Sequence, residues 1–524
     1  MTLRPARPPQ EGAGPPAIHT AVRRHAWRNP DAVALVDGLT RVTYGELDAA
    51  SDAWAEVLRG RGAGPNGFVP VLLPRSAELV TVLLAVLKTG AAYAALDPTW
   101  PAARIQESLR MLRPRVTVAR HTPAGWAGPV WRPPAPGVHG AARGSAGPPP
   151  GPPPDALAPA TVHFTSGTTG RPKAVVSSHG ATTSLFGGGF EPVTPGRVMA
   201  QASPASWDAF TLETWNPLTN GGSVVIVDTP YLLPATLRLL IDRHGVDTVW
   251  LTASLFHLFV DEEPDSFHGL RHVLTGGERL SVPRVATFLE RHPHIALTNG
   301  YGPVESCVFA TARRIREEDC DVPTGIPVGR PVPGRHVEVM SGGRRSGTGT
   351  VGEICVSGEG VALGYLDDPA LTARRFPTVI LDGLPTRVYR TGDLGFQDSE
   401  GVLHFSGRAD RQVKVRGHRV EPEEVEAVSR ALPGVGECAL VPVLGRSGRY
   451  ERLALFYSRD GADGAPGPPD PRAVRRRLAG VLPPHLVPDL VRREDDLPLT
   501  ANGKLDRAAL VESLPRHHVQ EAES

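Results

Sequence analysis

The chain has 524 residues, enough for two or more domains at roughly 100 to 200 residues each, so a single small module is excluded. Fifty-six Lys and Arg against 55 Asp and Glu leave a net charge of +1, which gives no electrostatic footprint for nucleic acid or an anionic membrane. Four cysteines without a C-x-x-C pair exclude zinc spacing and a dense disulfide framework, and neither a signal peptide nor an apolar run near the roughly 20 residues of a membrane span is present, so a cytoplasmic location is expected.

From residue 17 to about 120, helix and strand patterns alternate in α/β style. Residues 31–37 predict a strand and 44–58 an amphipathic helix. A second helix is predicted over 76–87, with Ser76 as N-cap, Glu78 in the first turn, Lys88 in the last and Gly90 just beyond. Lys88 then reads as a charge complementing the helix C-terminus. The Pro-, Gly- and Ala-rich stretch 122–159, which contains GPPPGPPPD, offers few side chains to bury and reads as a surface excursion or disordered insertion rather than a domain boundary. Beyond it, strands at 223–227, 248–251 and 272–274 alternate with helices, the rhythm of largely parallel sheets covered by helices. Residues 329–405 change to short strands and Gly-rich turns, a small β-rich subdomain. A helix from near Pro422, strands at 438–443 and 452–457, and a helix over 471–482 make a separate α+β unit. The expected fold is a large α/β N-terminal domain over 1–409 followed by a small α+β C-terminal domain over 410–524.

The cations are unevenly divided, with 52 arginines and only four lysines, Lys88, Lys173, Lys414 and Lys504. Lysine is a compact point charge on a flexible stem, so the positions that retain it invite a chemical reason. Three of the four lie in TSGTTGRPK, GRADRQVKVRGHR and LPLTANGKLD. The strand-like ATVHF runs into residues 165–173, whose hydroxyls and backbone N–H groups can wrap phosphate oxygens. The spacing is not that of a Walker A loop, and composition alone also suits a plain turn.

The whole string is more specific than its composition, and it is one of nine. With VTYGEL, LKTGAAYAALDP, WDAFTLETW, NGYGPVE, GEICVSGEGVALGYL, YRTGDL, GRADRQVKVRGHRVEPEEVE and LTANGKLDR in order, the chain resembles the adenylate-forming superfamily. Within it, the match is to amino-acid-activating adenylation domains of nonribosomal peptide synthetases, over about residues 20 to 510.

The resemblance implies ATP and Mg²⁺ as cofactors. Lys173 and the phosphate loop Thr165, Ser166, Gly167, Thr168, Thr169 and Gly170 would handle the triphosphate, Glu305 would hold Mg²⁺, and Lys504 would bridge substrate carboxylate and phosphate. Tyr301 and Gly302 would bind adenine with Asn299 at its edge, Gly277 and Glu278 closing the other side. Asp393 and Arg408 would hold the ribose, a carboxylate being suited to accept from vicinal hydroxyls. Asp410, Lys414 and Gly417 would lie at the hinge of a mobile C-terminal domain that alternates between two half-reactions. From the residues alone, Lys414 is equally an exposed strand residue.

Asp208 would pair with the substrate α-ammonium, separating amino-acid activation from fatty or aryl acid activation. The side-chain pocket would comprise Ala209, Leu212, Trp250 and Leu274 with Gly276, Gly300, Val308 and Phe309. Such an apolar lining favours a small branched aliphatic amino acid, the lining resembling valine-type pockets, but one methylene is worth only about 1–3 kcal/mol, so isoleucine, leucine or a nonproteinogenic analogue stays open. Val304 stands where the family has threonine, which predicts slower adenylation, and Ala174 where it has glycine.

The resulting expectation is a freestanding, AMP-forming amino-acid ligase that loads a phosphopantetheinyl carrier protein in trans, and the resemblance admits a small MbtH-like activator. A carboxylic-acid:CoA ligase is the alternative that Asp208 argues against. A catalytically silent nucleotide-binding scaffold is the alternative that Glu305, Asp393 and Lys504 argue against.

Overall fold

Thr43 starts the helix Tyr44–Gly60 with a reciprocal capping box, its hydroxyl accepting from the Glu46 N–H while the Glu46 carboxylate accepts from the Thr43 N–H. Ser76 likewise caps Ala77–Lys88, accepting from Leu79 N at 3.2 Å. These signals are local, so the elements form where the sequence predicts them. The computed structural model describes residues 15–134, 156–166, 172–186, 195–229, 231–445, 449–459, 469–499 and 505–514.

Two large mixed sheets make the N-terminal domain. The first runs, edge to edge, Arg330–Pro331, Thr311–Arg314, Ala296–Tyr301, His272–Gly276, Thr248–Thr252, Val198–Gln201, Ser223–Ile226, Val33–Asp37 and Thr40–Thr43. The six strands from Ala296–Tyr301 to Val33–Asp37 are mutually parallel. The second runs Gly364–Tyr365, Lys173–Ser178, Pro159–Thr165, Ala92–Ala95, Phe68–Leu72, Thr117–Ala119 and Val130–Trp131. Helices including Ala77–Lys88 and Asp208–Thr219 fill the space between them, sharing one core with Leu35 and Val224 of the first sheet and Val71 and Tyr93 of the second. Trp215 donates to the Tyr93 hydroxyl at 2.7 Å across it, satisfying both polar tips in a buried layer.

The expected α/β architecture is thus observed. A smaller antiparallel sheet built on His336–Ser341, Gly352–Ser357, Leu384–Gln397 and Leu403–Arg408 forms the β-rich part. Two pieces of the 329–405 stretch leave it, since Arg330–Pro331 and Gly364–Tyr365 add edge strands to the two large sheets. Of the stretch 122–159, residues 135–155 lie outside the described residues, and part of the remainder is a strand. Val130–Trp131 pairs in parallel with Thr117–Ala119, and Trp131 packs edge-on against Trp54 at 5.9 Å, a burial that Pro/Gly composition conceals.

Lys88 sits at the predicted helix end, but its ammonium is buried, 2.5 Å from Asp48 and 2.8 Å from Asp52. The structural role is therefore a buried ion pair as well as a helix-end charge.

The small domain holds the strands Val435–Leu444, Tyr450–Arg459 and Leu490–Arg493, with helices Pro422–Arg430 and Pro471–Ala479. Because strand side chains alternate between faces, its sheet carries two apolar layers. Leu440, Leu453, Leu455 and Tyr457 pack with Val415 and Val420 of the hairpin Val413–Val415/His418–Val420. Ala439, Val441, Ala454 and Phe456 pack on the other side with Leu497, Leu505 and Leu510.

Candidate active site

Central parallel strands end together and release the functional side chains, the usual placement of a site in an open α/β sheet. Gly276 ends its strand directly opposite Gly300. A Cβ on Gly276 would lie 2.1 Å from the Gly300 carbonyl, so this close approach admits only glycine. Asn299 donates from its side chain to Pro327 O at 2.9 Å. Tyr301 donates to Asp393 at 2.6 Å, while Arg408, the register partner of Asp393 across the antiparallel pair, donates to the other carboxylate oxygen. Burial raises the Tyr301 phenol well above its ordinary pKa, and Asp393 raises it further.

Glu305 follows on the short turn Val304–Ser306 and is fully buried. Its Oε1 accepts from Tyr365 at 2.9 Å and its Oε2 from Arg419 at 2.9 Å. Burial alone would raise this carboxyl, but the Arg419 guanidinium and the nearby hydrogen bonds hold it below its usual range. Lys173 begins the strand after the phosphate loop, pairs in register with Thr165, and contacts Glu421 at 3.2 Å. Ser166 donates to Arg419 O at 3.1 Å. Gly167, Thr168, Thr169, Gly170 and Lys504 lie outside the described residues.

Asp208 opens the helix Asp208–Thr219. Burial pushes its carboxyl up from 3.8 to about 6, opposed by Lys414 and by the backbone N–H groups of Ala209 and Asp208, while Glu305 adds to the rise. Ala209, Leu212, Trp250, Leu274, Val308 and Phe309 are all buried and belong to the core between the two large sheets. Trp250 and Phe309 meet with ring centroids 5.4 Å apart, and the Phe309 ring occupies the space above Gly300, where a Cβ would come within 2.3 Å of it. The Trp250 indole N–H is buried and has no hydrogen-bond partner among the described residues.

Lys414 projects from the hairpin into the same region. Burial lowers its pKa, and Asp393, Asp208 and Glu278, which come from three different parts of the N-terminal domain, oppose that shift. The hairpin turn has φ 51° at Arg416 and 83° at Gly417, the positive pair of a two-residue type I′ connection. The Gly417 N–H donates to Glu278, which also accepts from Ser254 at 2.8 Å. Asp410 is bound by Arg408 at 2.7 Å.

Sequence reasoning did not single out Arg419, Glu421 or Tyr365. All three lie inside motif strings quoted above, yet nothing in one sequence pairs them with Glu305 or Lys173 across the fold.

With this geometry in place, the chain matches the model of the AMP-binding enzyme over residues 22–366 and that of the AMP-binding enzyme C-terminal domain over residues 424–504. The chain belongs to the AMP-binding enzyme family. It is an AMP-forming ligase of the type found in nonribosomal peptide synthetases. It is 36% identical over 506 residues to malpibaldin synthetase of Mortierella alpina, covering 93% of this chain and 9% of that protein. It is 34% identical over 530 residues to the dimodular nonribosomal peptide synthase of Bacillus subtilis (strain 168), covering 94% of this chain and 21% of that one. The chain therefore spans a small part of the curated synthetases it matches. Among solved structures, PA1221, a nonribosomal peptide synthetase protein containing adenylation and PCP domains, is 34% identical with a TM-score of 0.81, over 97% of this chain and 98% of that one.

An AMP-binding enzyme handles a phosphate-rich ligand, and two features of this site suit one. The Thr165 hydroxyl at the start of the expected phosphate loop is buried and has no partner among the described residues. Among the described residues no cluster of three metal-ligating side chains exists, and a single carboxylate such as Glu305 suits Mg²⁺, which takes few protein ligands and completes its shell with phosphate oxygens and water. In the present arrangement each Glu305 oxygen already accepts one hydrogen bond, and the Arg419 charge on Oε2 would oppose a divalent cation there.

Proposed function

We propose that the protein uses ATP to activate an α-amino acid as aminoacyl-AMP, and then passes the aminoacyl group to the phosphopantetheine thiol of a separate carrier protein in nonribosomal peptide biosynthesis. The observation that carries this reading is the position of Asp208. Asp208 opens the helix whose Ala209 and Leu212 join the buried apolar core, with its carboxyl within electrostatic reach of both Glu305 and Lys414, which is where a zwitterionic substrate would need a partner for its ammonium. An apolar lining narrowed by Trp250 and Phe309 favours a branched aliphatic side chain such as that of valine.

In the first half-reaction a substrate carboxylate oxygen bonds to the α-phosphorus as the bond to pyrophosphate breaks. Two anions must approach, so cations are required; Lys173 would serve the phosphates and Lys504 would bridge carboxylate and α-phosphate. Mg²⁺ held by Glu305 would neutralise phosphate charge. Tyr301 and Asn299 would place the adenine, with Gly302, Gly277 and Glu278 around it, and Asp393 and Arg408 would place the ribose.

In the second half-reaction a thiol attacks the acyl carbon and AMP leaves. The arrangement of the small domain supports assigning the described state to this step. Lys414 and Gly417 are at the site, whereas Leu505, next to Lys504 in the chain, packs on the opposite face of the small sheet. Asp410, bound to Arg408 where the domains join, would act as the hinge.

The reading is tested by amino-acid-dependent exchange of labelled pyrophosphate into ATP across a panel of amino and non-amino acids, with and without an added MbtH-like activator. Exchange with valine or a close aliphatic relative is expected; no exchange with any α-amino acid overturns it.

A further inference from the structure

Arg335 is 3% exposed, and its acceptors among the described residues are all neutral. Nη2 donates to Ala181 O at 2.8 Å and to Ser306 O and Cys307 O, both at 3.1 Å; Nη1 donates to the Ser184 hydroxyl at 2.9 Å and Pro333 O at 3.0 Å. Room for the fork is made by Gly360, where a Cβ would stand 2.0 Å from the Arg335 Nε. Burial lowers the guanidinium to about 10, which leaves it charged at neutral pH.

The carbonyls of Ser306 and Cys307 belong to an unusual stretch of backbone. Cys307 has φ 54° and Val308 φ 72°, two consecutive non-glycine residues in the left-handed region, the second β-branched. Such residues persist only where their surroundings over-determine them. Immediately before this stretch is Glu305, and its end is Val308 and Phe309, whose side chains join the core between the two large sheets. Phe309 in turn packs over Gly300 and against Trp250.

We propose that Arg335 is a specificity-positioning residue, whose guanidinium fork clamps the left-handed 306–308 turn and thereby fixes the wall that Val308 and Phe309 present to the substrate side chain. This rests on the amino-acid-activation reading above. Arg335 touches neither substrate nor phosphate. It acts through the turn, and a lysine keeps the charge but has no second nitrogen to hold the Ser184 hydroxyl and Pro333 O while the first reaches the Ser306 and Cys307 carbonyls. Because Val308 and Phe309 are the side-chain wall in that reading, loosening the turn is expected to weaken amino-acid binding more than ATP binding.

The experiment compares Arg335→Lys, Arg335→Met and Gly360→Ala with the wild type in pyrophosphate exchange. Gly360→Ala keeps the arginine and displaces its fork. All three are expected to raise the amino-acid KM about tenfold or more, the scale of losing a charged hydrogen bond. They are also expected to compress the preference for valine over isoleucine and leucine, and to leave the ATP KM within about twofold. Val285→Ala, in a separate core, supplies a control of comparable melting temperature with selectivity unchanged. Equal rises in both KM values, unchanged selectivity in a folded variant, or failure of all three variants to fold overturns the proposal. Absence of any amino-acid-dependent exchange in the wild type instead removes the reading beneath it.

Discussion

Glu305 and Arg419 lie 114 residues apart and on different domains, yet they form a buried ion pair at 2.9 Å. Lys173 and Glu421 make a second pair at 3.2 Å, and Arg104 and Glu424 a third at 3.1 Å. The small domain thus presents an arginine to the carboxylate assigned to Mg²⁺ and a carboxylate to the lysine assigned to phosphate. On those assignments, bound MgATP and this docked arrangement would compete for the same groups.

Removing one partner of a buried pair leaves the other charge uncompensated, at about 3–5 kcal/mol. Arg419→Ala is therefore expected to weaken docking of the hairpin and reduce carrier loading by tenfold or more, while amino-acid-dependent pyrophosphate exchange changes only a few-fold. Measuring both half-reactions on one preparation checks this; equal losses would show that the pair matters to both.

Gly417 provides a backbone test of the same interface. Its φ is 83°, its N–H donates to Glu278, and a Cβ there would meet Thr252 at 3.0 Å. Gly417→Ala adds left-handed strain of about 1–2 kcal/mol together with that crowding. Loading should fall about tenfold with exchange nearly unchanged, as read by quenched-flow transfer to a carrier.

The pH dependence of amino-acid binding follows from Asp208. Burial raises its carboxyl to about 6, so the protonated form is favoured in the folded protein and contributes stability that is lost as pH rises through about 6. Binding of the ammonium has the opposite sign, since it requires the carboxylate. The amino-acid KM should rise about tenfold per pH unit below 6 and level off above it. Asp208→Asn should bind weakly with no such step, which KM measurements from pH 5 to 8 would reveal.

Lys504→Ala should lower exchange by about 10² to 10³, the scale of losing one preorganised charge stabiliser. Lys414→Ala should instead harm loading more than exchange, because Lys414 is the lysine found among Asp208, Asp393 and Glu278 in the docked state. Wild-type exchange by the Lys504 variant would remove its assigned role.

Local signals carried much of the fold. The cap at Ser76, the capping box at Thr43 and the apolar runs at 223–227 and 248–251 each depend on neighbours a few residues away, so they are readable in one chain. Val130–Trp131 was hidden because its strand identity comes from pairing with Thr117–Ala119 and burial against Trp54. At the site, motif order placed Glu305, Lys173 and Asp208, but their partners arise from how two domains meet. Arg335 was hidden for a related reason: an arginine in a Gly- and Pro-rich segment reads as surface charge until the turn it clamps is seen.

In the proposed reaction Asp208 is the residue that would make this AMP-forming ligase an amino-acid enzyme. The most direct test of that role is pyrophosphate exchange with valine against 3-methylbutanoate, which has the same carbon skeleton without the ammonium. The account predicts exchange with valine and a loss of at least about 10²-fold with the desamino acid, on the scale of leaving a buried polar group unpaired. Equal exchange with the two acids, or exchange with 3-methylbutanoate alone, would contradict it.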